Sequence, residues 1–115
     1  VTPIFCKPTV RLVGVSHALV EILAALRETV DACPHLVPGE VVLTSIHDSV
    51  HAPKSRHYTD EAVDLRSKSF SPLSKRKFRE VLQTRLGPRF TVLLEGVGTP
   101  NEHFHVQVKK GTRYP

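Results

Sequence analysis

The sequence predicts an α+β domain, a small and mostly antiparallel sheet with helices packed on one face. Three observations lead there. Two stretches repeat apolar residues at helical spacing, four shorter ones alternate or are rich in β-branched residues, and their order is helix, strand, strand, helix, strand, strand. A chain of 115 residues fits one domain spanning 1–115. At 40% hydrophobic and 23% charged residues it has the composition of a globular protein, which suggests neither disorder nor a fibrous architecture.

The first helix is expected over 16–31, where Leu19, Ile22, Leu23, Leu26 and Val30 form the apolar stripe, Ser16 is the N-cap and Pro34 closes the segment. After the loop at Pro34, Pro38 and Gly39, residues 40–46 read as a buried strand. Residues 47–59 are polar, contain Pro53 and carry three histidines, so they read as a loop. Residues 62–66 alternate, placing Ala62, Asp64 and Arg66 on one face and Val63 and Leu65 on the other.

A second helix starts at Ser71 and Pro72, buries Phe78, Val81, Leu82 and Leu86, and ends at Gly87 and Pro88. Its other face, with Lys75, Arg76, Lys77, Arg79 and Arg85, reads as solvated. The third strand is 90–95 and the fourth 103–109, joined by a turn over 96–100. In the last strand Phe104, Val106 and Val108 should face the helices, leaving His103, His105 and Gln107 on the open face.

The formal charge of +5 and a pI near 9.6 favour an anionic partner. Nucleic acid is not expected, because aromatic residues make up only 6% and none interleave with the basic ones as a stacking platform would require. No apolar run approaches the roughly 20 residues of a membrane span, and the start VTPIFCKP lacks a signal-peptide pattern. A soluble monomer with no membrane association is therefore expected. Cys6 and Cys33 lack CxxC spacing and read as two buried free thiols.

A catalytic zinc ion takes three protein ligands from His, Asp, Glu or Cys and leaves a fourth position open. His57 in the loop, Asp64 on a strand and His105 on a distant strand are candidates that could converge on the open face of the sheet. The segment Ser55-Arg56-His57-Tyr58-Thr59-Asp60-Glu61-Ala62-Val63-Asp64 resembles the S-x-H-x-x-G-x-A-x-D signature of the D-alanyl-D-alanine metallopeptidases. Glu102-His103-Phe104-His105 is similar to the E-x-x-H that completes it, and Leu43-Thr44-Ser45 to the strand that precedes it. The family holds carboxypeptidases, D,D-dipeptidases and phage L-alanyl-D-glutamate endopeptidases, in a superfamily with lysostaphin and the Hedgehog signalling domain. The resemblance covers about 41–108.

The resemblance implies one zinc ion held by His57, Asp64 and His105, with Glu102 as the general base. His103 is the alternative base, because lysostaphin-type relatives use an H-x-H pair. Strand alternation turns Glu102 away from His103 and His105, so Glu102 serves only if the strand starts after it. Two positions depart from the pattern: Asp60 replaces a glycine, and Asp48 stands where relatives often carry an arginine. Ser55, Arg56, His47 and His51 are candidate substrate contacts, of which Arg56, His47 or His51 could compensate for the missing arginine.

The implied activity is zinc-dependent hydrolysis of a peptidoglycan stem-peptide amide next to a D-amino acid, by a phage or bacterial enzyme. Such an enzyme acts on the anionic cell wall after release from the cytoplasm, or travels with a virion. A zinc-binding module without turnover is the alternative reading, and a basic nucleic-acid-binding domain the third.

Overall fold

In a computed structural model of the chain, the described residues are 1–11, 16–46 and 62–109. They form β1 (Ile4–Cys6), α1 (His17–Ala32), a single 3₁₀ turn (Pro34–Leu36), β2 (Val41–Ser45), β3 (Ala62–Arg66), α2 (Pro72–Leu86), β4 (Phe90–Glu95) and β5 (His103–Val108). The five strands make one sheet in the order β1-β2-β3-β5-β4. It is mixed: β1 runs parallel to β2 and every other pairing is antiparallel. Both helices pack on one face, as the α+β prediction requires, and enclose a continuous apolar core. Among the described residues no helix is long and apolar enough to cross a membrane.

The caps form where the sequence places them. Ser16 accepts a hydrogen bond from the Leu19 amide and Ser71 from the Ser74 amide, each satisfying a first-turn N–H that the helix cannot. Gly87 ends α2 with φ of 84°, a left-handed conformation that side chains with a Cβ rarely adopt. On β5, Phe104, Val106 and Val108 are fully buried beneath the helices. The Phe104 ring lies 5.1 Å from that of Phe70 and 5.3 Å from that of Phe78, so a three-ring cluster locks β5 to α2.

Strand β1 is absent from the sequence prediction. It is a three-residue edge between Pro3 and Pro8, held by hydrogen bonds from Val41 N to Pro3 O and from Lys7 N to Leu43 O. Partners some 36 residues away create it, with no periodicity of its own. The cysteines also differ from expectation: both are free, but Cys6 is exposed on that edge and Cys33 is only half-buried at the C-cap of α1.

The basic face of α2 is less solvated than predicted. Lys75, Arg79 and Gln83 recur every four residues, and this row faces the sheet. Gln83 donates to the Phe90 and Gly87 carbonyls at 2.9 and 3.2 Å and accepts from the Val92 amide at 2.8 Å, while Arg79 donates to the Val92 carbonyl. The Phe90 and Val92 groups belong to the outer edge of β4, because the Arg89 carbonyl just before the strand accepts from the Lys109 amide on the inner side. Helix α2 therefore covers an edge that would otherwise invite pairing with another chain. Gln83→Ala should leave Val92 N–H and Phe90 C=O without these partners and cost about 1–3 kcal/mol. Urea unfolding should show a lower midpoint with an unchanged slope.

Candidate metal centre

Antiparallel pairing arranges the helix-free face in rows. One row sets Ser45 of β2, Asp64 of β3, His105 of β5 and Leu93 of β4 side by side. The next sets Arg66, His103 and Glu95. Residues directly opposite in such a sheet share a face, so Asp64, His103, His105, Glu95 and Arg66 emerge together. The alternation predicted for β3 and β5 thus holds, although His105 is 9% exposed and less open than expected.

Asp64, His103 and His105 each offer a ligand atom within 4.8 Å of the others, a group that can hold a metal ion. His105 Nδ1 lies 2.7 Å from Asp64 Oδ1, and His103 Nε2 lies 3.9 Å from the same oxygen. Glu95, 46% exposed, approaches from β4: its Oε1 is 3.1 Å from His103 Nε2 and 3.9 Å from His105 Nδ1.

The outer nitrogens define the chemistry. His103 Nδ1 is 2.7 Å from the Asn101 carbonyl, which only accepts, so that nitrogen carries the proton. His105 Nε2 is 2.7 Å from the Gln107 amide oxygen, another acceptor. In the neutral rings the remaining nitrogens, His103 Nε2 and His105 Nδ1, therefore present lone pairs toward carboxylate oxygens. Lone pairs and carboxylates converge favourably only around a positive charge, a proton or a metal cation. Histidines whose far N–H is held by an oxygen acceptor are the usual form of metal-ligating imidazoles, because that bond fixes tautomer and ring orientation.

At His105 a proton can fill the same role. Burial acts most strongly on His105 and lowers its pKa. The hydrogen bonds that the protonated ring donates to Asp64 and Gln107 and the negative charges of Asp64 and Glu95 together outweigh it, so the pKa is raised above the usual 6.5.

The turn before β5 positions the Asn101 carbonyl. Gly96 has φ of 67°, and a Cβ there would meet the Asn101 oxygen at 2.9 Å. Thr99 ties the turn by donating to the Gly96 carbonyl and accepting from the Asn101 amide. Glycine at 96 thus lets the chain close tightly enough for Asn101 to reach His103.

The sequence favours Glu102 as a base, and β5 does begin after it, at His103. The Glu102 carboxylate nevertheless accepts from Ser67 Oγ at 2.8 Å and from Lys75 Nζ of α2. The Lys75 bond, followed by that from Ser67, holds its pKa below the usual 4.5. His103, the alternative base, is inside the cluster. His57, proposed as a ligand, and Ser55, Arg56, His47 and His51, proposed as substrate contacts, lie outside the described residues, as do Asp48 and Asp60. Sequence reasoning missed Glu95, Asn101 and Gln107. Alternation on β4 places Glu95 with Thr91 and Leu93, but its register against His103 depends on the geometry of the turn.

Compared with protein-family models, with curated proteins and with solved structures, the chain matches none.

In metal-free protein, an NMR titration should place the His105 midpoint above 6.5, and Asp64→Asn should move it down. For Glu102 the folded pKa is depressed, so its contribution to stability is present above about 4.5 and lost as the pH falls through the lower folded value. Denaturation midpoints followed from pH 6 to pH 3 should show that loss in the wild type and a flatter profile in Glu102→Gln.

Proposed function

We propose that the chain is a zinc-dependent hydrolase that cuts a stem-peptide amide of peptidoglycan next to a D-amino acid. One observation carries the reading: two imidazoles, fixed from behind by Asn101 and Gln107, turn their inner nitrogens toward Asp64. The donor set of nitrogen and carboxylate oxygen suits zinc. The substrate class rests on the signature resemblance of residues 55–64 and 102–105.

In this reading Asp64 and His105 hold the ion together with an imidazole, His103 from the cluster or His57 from the signature. Bound zinc lowers the pKa of a coordinated water toward about 7 and polarises the carbonyl of the scissile amide. The chain's own groups then orient substrate and move protons. Arg66, directly opposite His103 in the register and on the same face, would meet negative charge on substrate or on the developing oxyanion. Leu93, partly exposed beside His105, offers an apolar contact. His103 is the imidazole through which a proton can pass from water to the leaving amine if His57 completes the ligand set. The net charge of +5 favours residence on the anionic wall.

The engagement of Glu102 with Lys75 and Ser67 favours a second reading, a zinc-binding module without turnover. Zinc analysis and amine release from purified peptidoglycan separate the two. Wild type should bind one equivalent of zinc and release amines, and His105→Ala should do neither. Loss of zinc in His103→Ala assigns that residue to the ion, whereas retained zinc with lost hydrolysis makes it the proton carrier. Retained zinc without amine release by the wild type, across several wall types, would leave the binding module in place of the enzyme.

A further inference from the structure

Glu95 has no role in the signature, yet its carboxylate also approaches both imidazoles. Its Oε1 stands 3.1 Å from His103 Nε2 and 3.9 Å from His105 Nδ1, while Asp64 Oδ1 stands 2.7 Å from His105 Nδ1 and 3.9 Å from His103 Nε2. The two carboxylates thus bracket the pair of ring nitrogens, each nearer to a different one. Ligand atoms bonded to zinc at about 2.0–2.1 Å in a tetrahedron lie roughly 3.3 Å apart, and these four separations fall around that value. Both rings already have their outward N–H groups, His103 Nδ1 and His105 Nε2, occupied by Asn101 and Gln107, so their inner lone pairs are directed at the space between the carboxylates.

We propose that Glu95 is a fourth protein ligand, closing the centre formed by Asp64, His103 and His105 in its resting state. The inference rests on the metal site of the proposed function and extends it to regulation of access. Three of the ligands sit on the inner strands β3 and β5, with side-chain exposures between 11% and 21%. Glu95 is the exception, 46% exposed on the last residue of edge strand β4, just before the Gly96 turn. A carboxylate on a flexible stem at a solvent-facing strand end is the ligand that yields most readily. Four protein ligands shut a zinc site to solvent, and departure of one opens it. Glu95 therefore guards the position that water or a substrate carbonyl must take.

The test uses the full chain loaded with Zn²⁺ or with Co²⁺, whose visible absorption reports coordination number. Wild type, Glu95→Ala and Glu95→Gln are compared for Zn²⁺ affinity by competition with a chromophoric chelator, and for the response of the Co²⁺ spectrum to azide. Far-UV circular dichroism and the urea midpoint check folding, which an exposed strand end should tolerate. Wild type should give an intense four-coordinate Co²⁺ spectrum that changes only at high azide. Both variants should bind Zn²⁺ about 10- to 100-fold more weakly, and Glu95→Ala should respond to azide at about tenfold lower concentration.

If Glu95 merely orients His103, Glu95→Gln should restore affinity and spectrum, and that result would overturn the inference. Unchanged affinity and spectrum in Glu95→Ala would overturn it as well, leaving the three-residue site and the proposed hydrolysis intact. Failure of the wild type itself to bind Zn²⁺ would remove the metal reading, and the role of Glu95 with it.

Discussion

The site depends on one constraint, the burial of Phe104 between Phe70 and Phe78. Side chains of a strand alternate, so fixing Phe104 under the helices fixes His103 and His105 on the other face. A slip of one residue would send both imidazoles into the core and bring a phenyl ring to the site. Removing a ring of this kind typically costs about 3–5 kcal/mol, so the core enforces the register strongly. Antiparallel pairing then carries the registration sideways to Asp64 and Arg66 on β3 and to Leu93 and Glu95 on β4.

The helix row at 75, 79 and 83 adds a second level of control. Gln83 and Arg79 satisfy the outer edge of β4, the strand that presents Glu95. Lys75 draws Glu102 to the helix side, so the carboxylate preceding β5 is separated from the imidazole that follows it. This sheltered ion pair outweighs the desolvation of Glu102, whose pKa it holds down, and losing one partner would leave a costly charge behind. Its clearest effect here is orientation: it decides which of two neighbouring ionisable residues faces the cluster.

Much of this was legible in the sequence, and the parts that were not share a cause. Both helices could be read because their caps and apolar stripes are local: Ser16 with Leu19 and Leu26, Ser71 with Phe78 and Leu82. The faces of β3 and β5 could be read because alternation is local too, and it brought Asp64 and His105 together across 41 residues. Strand β1 could not, because its order comes from β2. The inward turn of Lys75 and Arg79 could not, because a charged helix face reads the same whether it meets water or a strand edge. Glu95 escaped because its place beside His103 is set by Gly96 and the Asn101 carbonyl, a tight turn that spacing alone leaves undetermined.

The proposed centre is a cation shared by imidazoles and carboxylates of the open face, and X-ray absorption at the zinc edge of the purified protein tests it most directly. Two imidazole nitrogens with carboxylate oxygen at about 2.0–2.1 Å, and no sulfur, are predicted. A shell containing sulfur at about 2.3 Å, drawn from Cys6 or Cys33, or one without imidazole scattering, would contradict it.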